Sequence, residues 1–126
     1  MTKFEFEVDP CMLHPLTEYY RRNGQCTPVF QWLEGDLLPE PHRRLLVHDT
    51  DMTSTLEDFF GEVLVLHPLR VRELGNLLFR DVILVADATE MPAEFGAIKI
   101  YLDNFSDAAC QDIRDCRLPL GTILRV

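Results

Sequence analysis

Apolar residues change their spacing along this chain, and the change separates strands from helices. In "LLFRDVILVADATEMPAEFGAIKIYL" (Leu77 to Leu102) two apolar, strand-like runs flank a polar stretch, Asp87 to Pro92. Such a pattern predicts a β-hairpin with a loop of several residues. "EVLVLHPLRV" (Glu62 to Val71) is short, apolar and β-branched, which favours a strand. Pro68 cannot donate to a ladder, so this strand is expected to be interrupted or to lie at a sheet edge. "TDMTSTLEDFFG" (Thr50 to Gly61) has helical spacing instead, with Met52, Leu56, Phe59 and Phe60 on one face and Gly61 as a stop. Ser54 and Glu57 have capping-box spacing, and Thr50 and Asp51 are further candidates for the cap. "FSDAACQDIRDC" (Phe105 to Cys116) predicts a second helix, with Ser106 as N-cap and Asp107 at the positive end of its dipole. Phe105 and Cys110 have the spacing of a hydrophobic staple.

The first 42 residues carry weaker periodicity. "HPLTEYYRRNG" (His14 to Gly24) fits one short helix, with Pro15 in its first turn and Gly24 beyond its end. "LEGDLLPEPHRR" (Leu33 to Arg44) is mostly loop, with room for a short helix after Pro41. Hairpin-linked strands with helices elsewhere imply an α+β fold with an antiparallel sheet. The length of 126 residues suits a single domain, 1–126, with one core.

Composition narrows the function classes. A formal net charge of −9, with two lysines and ten dispersed arginines, argues against a nucleic-acid surface. No apolar run approaches the length of a membrane-spanning helix. "MTKFEFEVDP" has acids where an export signal would be basic, so a cytoplasmic location is expected. Cys11, Cys26, Cys110 and Cys116 form no CxxC pair and are expected as free thiols.

Arg80 is the first candidate for chemistry. On an extended strand it shares a face with Leu78, Val82 and Leu84. A guanidinium on an apolar face is costly unless an anion pairs with it, and its planar fork suits a carboxylate. Three partners satisfy this reading: a ligand, an internal acid such as Glu94, or water at a sheet edge. Asp81 lies on the opposite face with Phe79, Ile83 and Val85, and is expected to pair with Lys99 or a nearby arginine. "HDTDMT" (His48 to Thr53) places a histidine among acids, a pattern open to acid–base or metal chemistry but more common as helix capping. His14, His42 and His67 are scattered, and no phosphate loop, HExxH or GxSxG is present. In "RLPLGTIL" (Arg117 to Leu124), Pro119 and Gly121 suit a helix start, which is preferred over an anion-binding turn.

Three of these stretches, in this order, resemble bacterial chorismate pyruvate-lyase and its superfamily. They are "LLVHDTDMTSTLE" (Leu45 to Glu57), "LLFRDVILVADATEMPAEFGAIKIYLDNF" (Leu77 to Phe105) and "RLPLGTIL". Together they span roughly Leu45 to Val126, about two thirds of the chain. The resemblance implies an α+β fold whose antiparallel sheet encloses a buried aromatic-acid site. It implies conversion of chorismate to 4-hydroxybenzoate and pyruvate without metal or cofactor. Carried over by position, Arg80 would grip the ring carboxylate, and backbone at Met52 and Leu120 would line the same end of the pocket. Arg70 falls near an arginine-bearing strand of the family. The family continues past its Pro-Leu-Gly through strands bearing a glutamate that no residue here matches. Three expectations follow for this difference: absent activity, another group in that role, or strands supplied by a second subunit in a homodimer. The superfamily fold also hosts the UTRA effector domains of transcription regulators, so a non-catalytic module for a small aromatic acid is the alternative.

Overall fold

The computed structural model describes residues 9–124. At its centre are three antiparallel strands, β1 (Leu64–Leu74), β2 (Leu77–Ala86) and β3 (Pro92–Tyr101), in that spatial order. The helices are α1 (Leu16–Arg22), α2 (His42–Leu46), α3 (Met52–Phe60), α4 (Asp107–Asp115) and α5 (Leu120–Leu124). The fold is therefore α+β with an antiparallel sheet. Among the described residues no helix is long and apolar enough to cross a membrane.

Local chemistry accounts for most of the boundaries. The Asp51 side chain caps α3 by accepting from Ser54 N–H, and Gly61 ends the helix in the left-handed region at φ 69°. Ser106 caps α4 by accepting from Ala109 N–H. The β2–β3 loop is held by Glu62, which accepts from the Ala88 and Thr89 N–H groups and from the Thr89 hydroxyl. These donors hold the exposed Glu62 carboxyl below its ordinary pKa. Two details depart from the periodicity. β1 runs on to Leu74, and a tight turn at Gly75 and Asn76 joins it directly to β2, a second hairpin. Pro68 marks an irregularity rather than an end: among the described residues β1 is an edge strand, and its register shifts between Pro68 and Arg70.

The two faces of β2 meet different surroundings. Leu78, Val82, Leu84 and Ala86 are buried and divide between two apolar clusters. One gathers Leu56, Leu64, Leu66, Val82, Leu84, Ala86 and Cys116 beneath α3. The other gathers Leu78, Ile100, Leu102, Cys110, Ile113 and Ile123 beneath α4 and α5, with Phe105 against it as the staple predicts. Arg80 lies between them on the strand. On the opposite face α1 packs through Tyr19 on Phe95, with ring centroids 4.5 Å apart. On that face Arg22 donates to the Asp81 carboxylate. Asp81 thus pairs with an arginine 59 residues away and not with Lys99, because α1 lies across the face that Asp81 shares with Phe79.

Asp81 is only 5% exposed, so loss of Arg22 leaves a buried carboxylate uncompensated. Breaking a buried pair costs roughly 3–5 kcal/mol, and the 29% exposure of the Arg22 side chain reduces this. Arg22→Ala is expected to lower the unfolding free energy by about 2–3 kcal/mol, read from urea midpoints at unchanged slope. A midpoint equal to that of the parent would show that the pair contributes nothing.

Candidate functional site

A cavity of about 290 Å³ opens over the sheet face that carries Arg80. Its floor follows three cross-strand pairs of β2 and β3: Arg80 with Ile98, Val82 with Gly96, and Leu84 with Glu94. Met52 and Thr53 at the start of α3 and Pro119, Leu120 and Gly121 at the start of α5 form its walls. Leu124, 58% exposed, also lines it. The helices reach this position because Gly121 has no side chain. A Cβ there would lie 2.7 Å from Thr53 Oγ1 and 2.9 Å from Thr53 Cβ, so only glycine lets α5 sit directly on α3. Gly96 differs: a Cβ would meet Glu94 Oε1 at 3.7 Å and Val82 Cγ2 at 3.8 Å, both ordinary contacts.

Arg80 is 2% exposed. Its Nη1 donates to the Ile113 carbonyl at 3.2 Å, while Nε is buried and has no partner. Among the described residues no carboxylate comes within 4.0 Å of its guanidinium, so the internal salt bridge to Glu94 is not formed. Nor is water at an edge the answer, because β2 is the central strand. Burial draws the Arg80 pKa below its ordinary value, with the neighbouring Cys116 opposing. An arginine stays charged under such a shift. The protein therefore holds a desolvated cation whose hydrogen-bonding capacity is only partly used.

Two acids share the cavity. Asp51 is committed to the start of α3, with Oδ2 accepting from Ser54 N–H at 3.1 Å and Oδ1 from the Ser54 hydroxyl at 2.5 Å. Glu94 has no such tie: its Oε2 is buried without a partner, and burial raises its pKa above the ordinary 4.5. A carboxyl in this setting favours its neutral, proton-donating form. Alternation along β3 places Glu94 on the Arg80 face; what periodicity could not show is that, among the described residues, Glu94 has no cation partner.

Met52, Arg80 and Leu120 line one cavity, whereas Arg70 does not. The register shift explains its position. Before the shift Leu66 pairs with Leu84; after it Arg70 pairs with Asp81 and Val71 with Arg80. One extra residue moves Arg70 and Arg72 to the opposite face, where they line a small depression with Arg22 and Asp81. The His48 ring is taken up by local backbone: Nε2 lies 2.9 Å from Leu45 O and Nδ1 3.0 Å from Thr50 O. Among the described residues no group of three His, Cys, Asp or Glu side chains could hold a metal ion. Cys11, Cys26, Cys110 and Cys116 are free thiols. No family model, curated protein or solved structure matches the chain.

The two glycines should respond oppositely to alanine. Gly121→Ala is expected to cost about 1–3 kcal/mol through overpacking. Gly96→Ala is expected to leave stability within about 0.5 kcal/mol while narrowing the cavity. Urea unfolding of both variants checks this, and equal costs would contradict the assigned packing. Glu94 should also leave a pH signature. With its folded pKa raised, its contribution is full below the unfolded value and is lost as pH rises through the folded one. Glu94→Gln is therefore expected to gain in Tm over the parent on going from about pH 4 to about pH 8. A Tm difference that does not change with pH would refute the raised pKa.

Proposed function

We propose that this cavity binds a small aromatic carboxylic acid and that Arg80 holds its carboxylate. The observation that carries the reading is the buried guanidinium with an unpartnered Nε beside an apolar cavity. A carboxylate supplies the missing acceptor and the missing charge together. The volume, at the lower end of small-molecule pockets, suits a compact ligand. Leu66, Val82, Leu84, Ile98, Pro119 and Leu120 offer apolar surface for a ring.

The catalytic form of the same proposal is release of pyruvate from chorismate to give a hydroxybenzoate. The ordered motifs around Met52, Arg80 and Leu120 favour it, since these residues meet at one cavity as the resemblance requires. Here the chain's contribution is orientation of the ring by Arg80 and exclusion of water by the apolar walls. The non-catalytic form needs only the binding step.

Calorimetry with benzoate and 4-hydroxybenzoate tests binding, and absorbance after mixing with chorismate tests turnover. Arg80→Met is expected to weaken binding at least about thirtyfold, since losing one partner of a buried charged pair costs roughly 2–5 kcal/mol. The same variant is expected to match or exceed the parent in stability, because an apolar side chain replaces an uncompensated buried cation. The Ile113 carbonyl stays satisfied there, since it also accepts from Cys116 N–H and the Cys116 thiol. Loss of stability without loss of binding would make Arg80 a structural residue and end this reading. Hydroxybenzoate formation selects the lyase form, and binding without product selects the module.

A further inference from the structure

We infer that Glu94 is the specificity-determining residue of this cavity, accepting ligands with an uncharged polar group opposite the carboxylate and rejecting those with a second negative charge. The inference rests on the reading of Arg80 as the carboxylate anchor and on the non-catalytic form of the proposal, since chorismate carries two carboxylates and an ionised Glu94 would reject it. Arg80 and Glu94 share one sheet face, and their cross-strand pairs lie four residues apart along β2. At roughly 3.3 Å per residue this separates their backbones by about 13 Å. Between them lies Gly96, which adds no side chain to the floor. The Glu94 carboxyl leans over this gap, since its Oε1 is 3.7 Å from the position of a Gly96 Cβ. A ring-sized molecule seated over Gly96 therefore has the guanidinium toward one end and the carboxyl toward the other.

Among the described residues, the other ionisable groups lining the cavity are Arg80 from β2 and Asp51 from the segment before α3. The residues from β1 and α5 that line it are apolar or glycine. Asp51 is turned to the α3 N-terminus, and Arg80 has no ion pair with Glu94, so neither neutralises an ionised Glu94. As a neutral acid Glu94 donates to a hydroxyl, ether or carboxylate oxygen. As a carboxylate it still accepts from a hydroxyl, but it repels a second anion in a desolvated site. Discrimination between mono- and dicarboxylates should therefore grow as pH rises and disappear when the side chain cannot ionise.

Calorimetry on the full chain with 4-hydroxybenzoate and with terephthalate, at about pH 5.5 and about pH 8, tests this in the parent, Glu94→Gln and Arg80→Met. In the parent, the preference for 4-hydroxybenzoate over terephthalate is expected to be greater at the higher pH. In Glu94→Gln it is expected to stay the same at both. If both acids bind the parent, Arg80→Met abolishes binding, and Glu94→Gln keeps the parent's pH-dependent preference, the inference is overturned while the Arg80 reading stands. If neither acid binds the parent, both are overturned.

Discussion

The structure is organised around one electrostatic constraint, a guanidinium buried on the apolar face of a central strand. Arg80 separates two hydrophobic clusters that would otherwise be continuous along β2, one under α3 and one under α4 and α5. Burying a cation without an anion is unfavourable. The fold gives it one backbone carbonyl and no carboxylate among the described residues. Its surroundings bury it without compensating its charge. Such an arrangement is uneconomical as a stabilising device.

The helices define the cavity that this cation borders. The starts of α3 and α5 meet edge to edge because Gly121 allows contact with Thr53. Asp51 is held by the first turn of α3, so its negative charge is directed to the helix rather than to the pocket. Glu94 is the contrasting acid, with neither helix terminus nor cation among the described residues to stabilise its charge. Two carboxyl groups in one cavity thus differ in environment. The opposite face of the sheet is balanced differently. There Asp81 is compensated by Arg22, and Arg72 stacks over Phe79 at 4.9 Å while approaching Glu18 at 3.7 Å.

Local chemistry was legible wherever it acts over a few residues. Alternation along Leu77 to Ala86 puts Arg80 with Leu78, Val82 and Leu84, and those residues are buried together. The cap at Ser106 and the stop at Gly61 follow from a side-chain hydrogen bond and glycine's freedom at positive φ, and the β2–β3 hairpin follows from two apolar runs around a polar stretch. At α3 the cap is Asp51, while Ser54 donates to it and Glu57 accepts from Leu64 N–H instead of closing a capping box. Pro68 signalled an edge strand because it lacks an N–H, and β1 is one.

Tertiary structure alone decided which charges meet. Asp81 found Arg22 through the docking of α1, a contact that strand periodicity does not encode. The face of Arg70 depended on a single-residue register shift; without it Arg70 would lie opposite Arg80, and with it Arg70 joins the other side of the sheet. Among the described residues Glu94 stayed unpaired because no cation reaches its end of the cavity, a property of the enclosure rather than of any segment. Periodicity determines the face a side chain takes within an unbroken strand, since each residue turns the chain by half a period. Partners and enclosure depend on packing between distant segments, and only the assembled fold sets them.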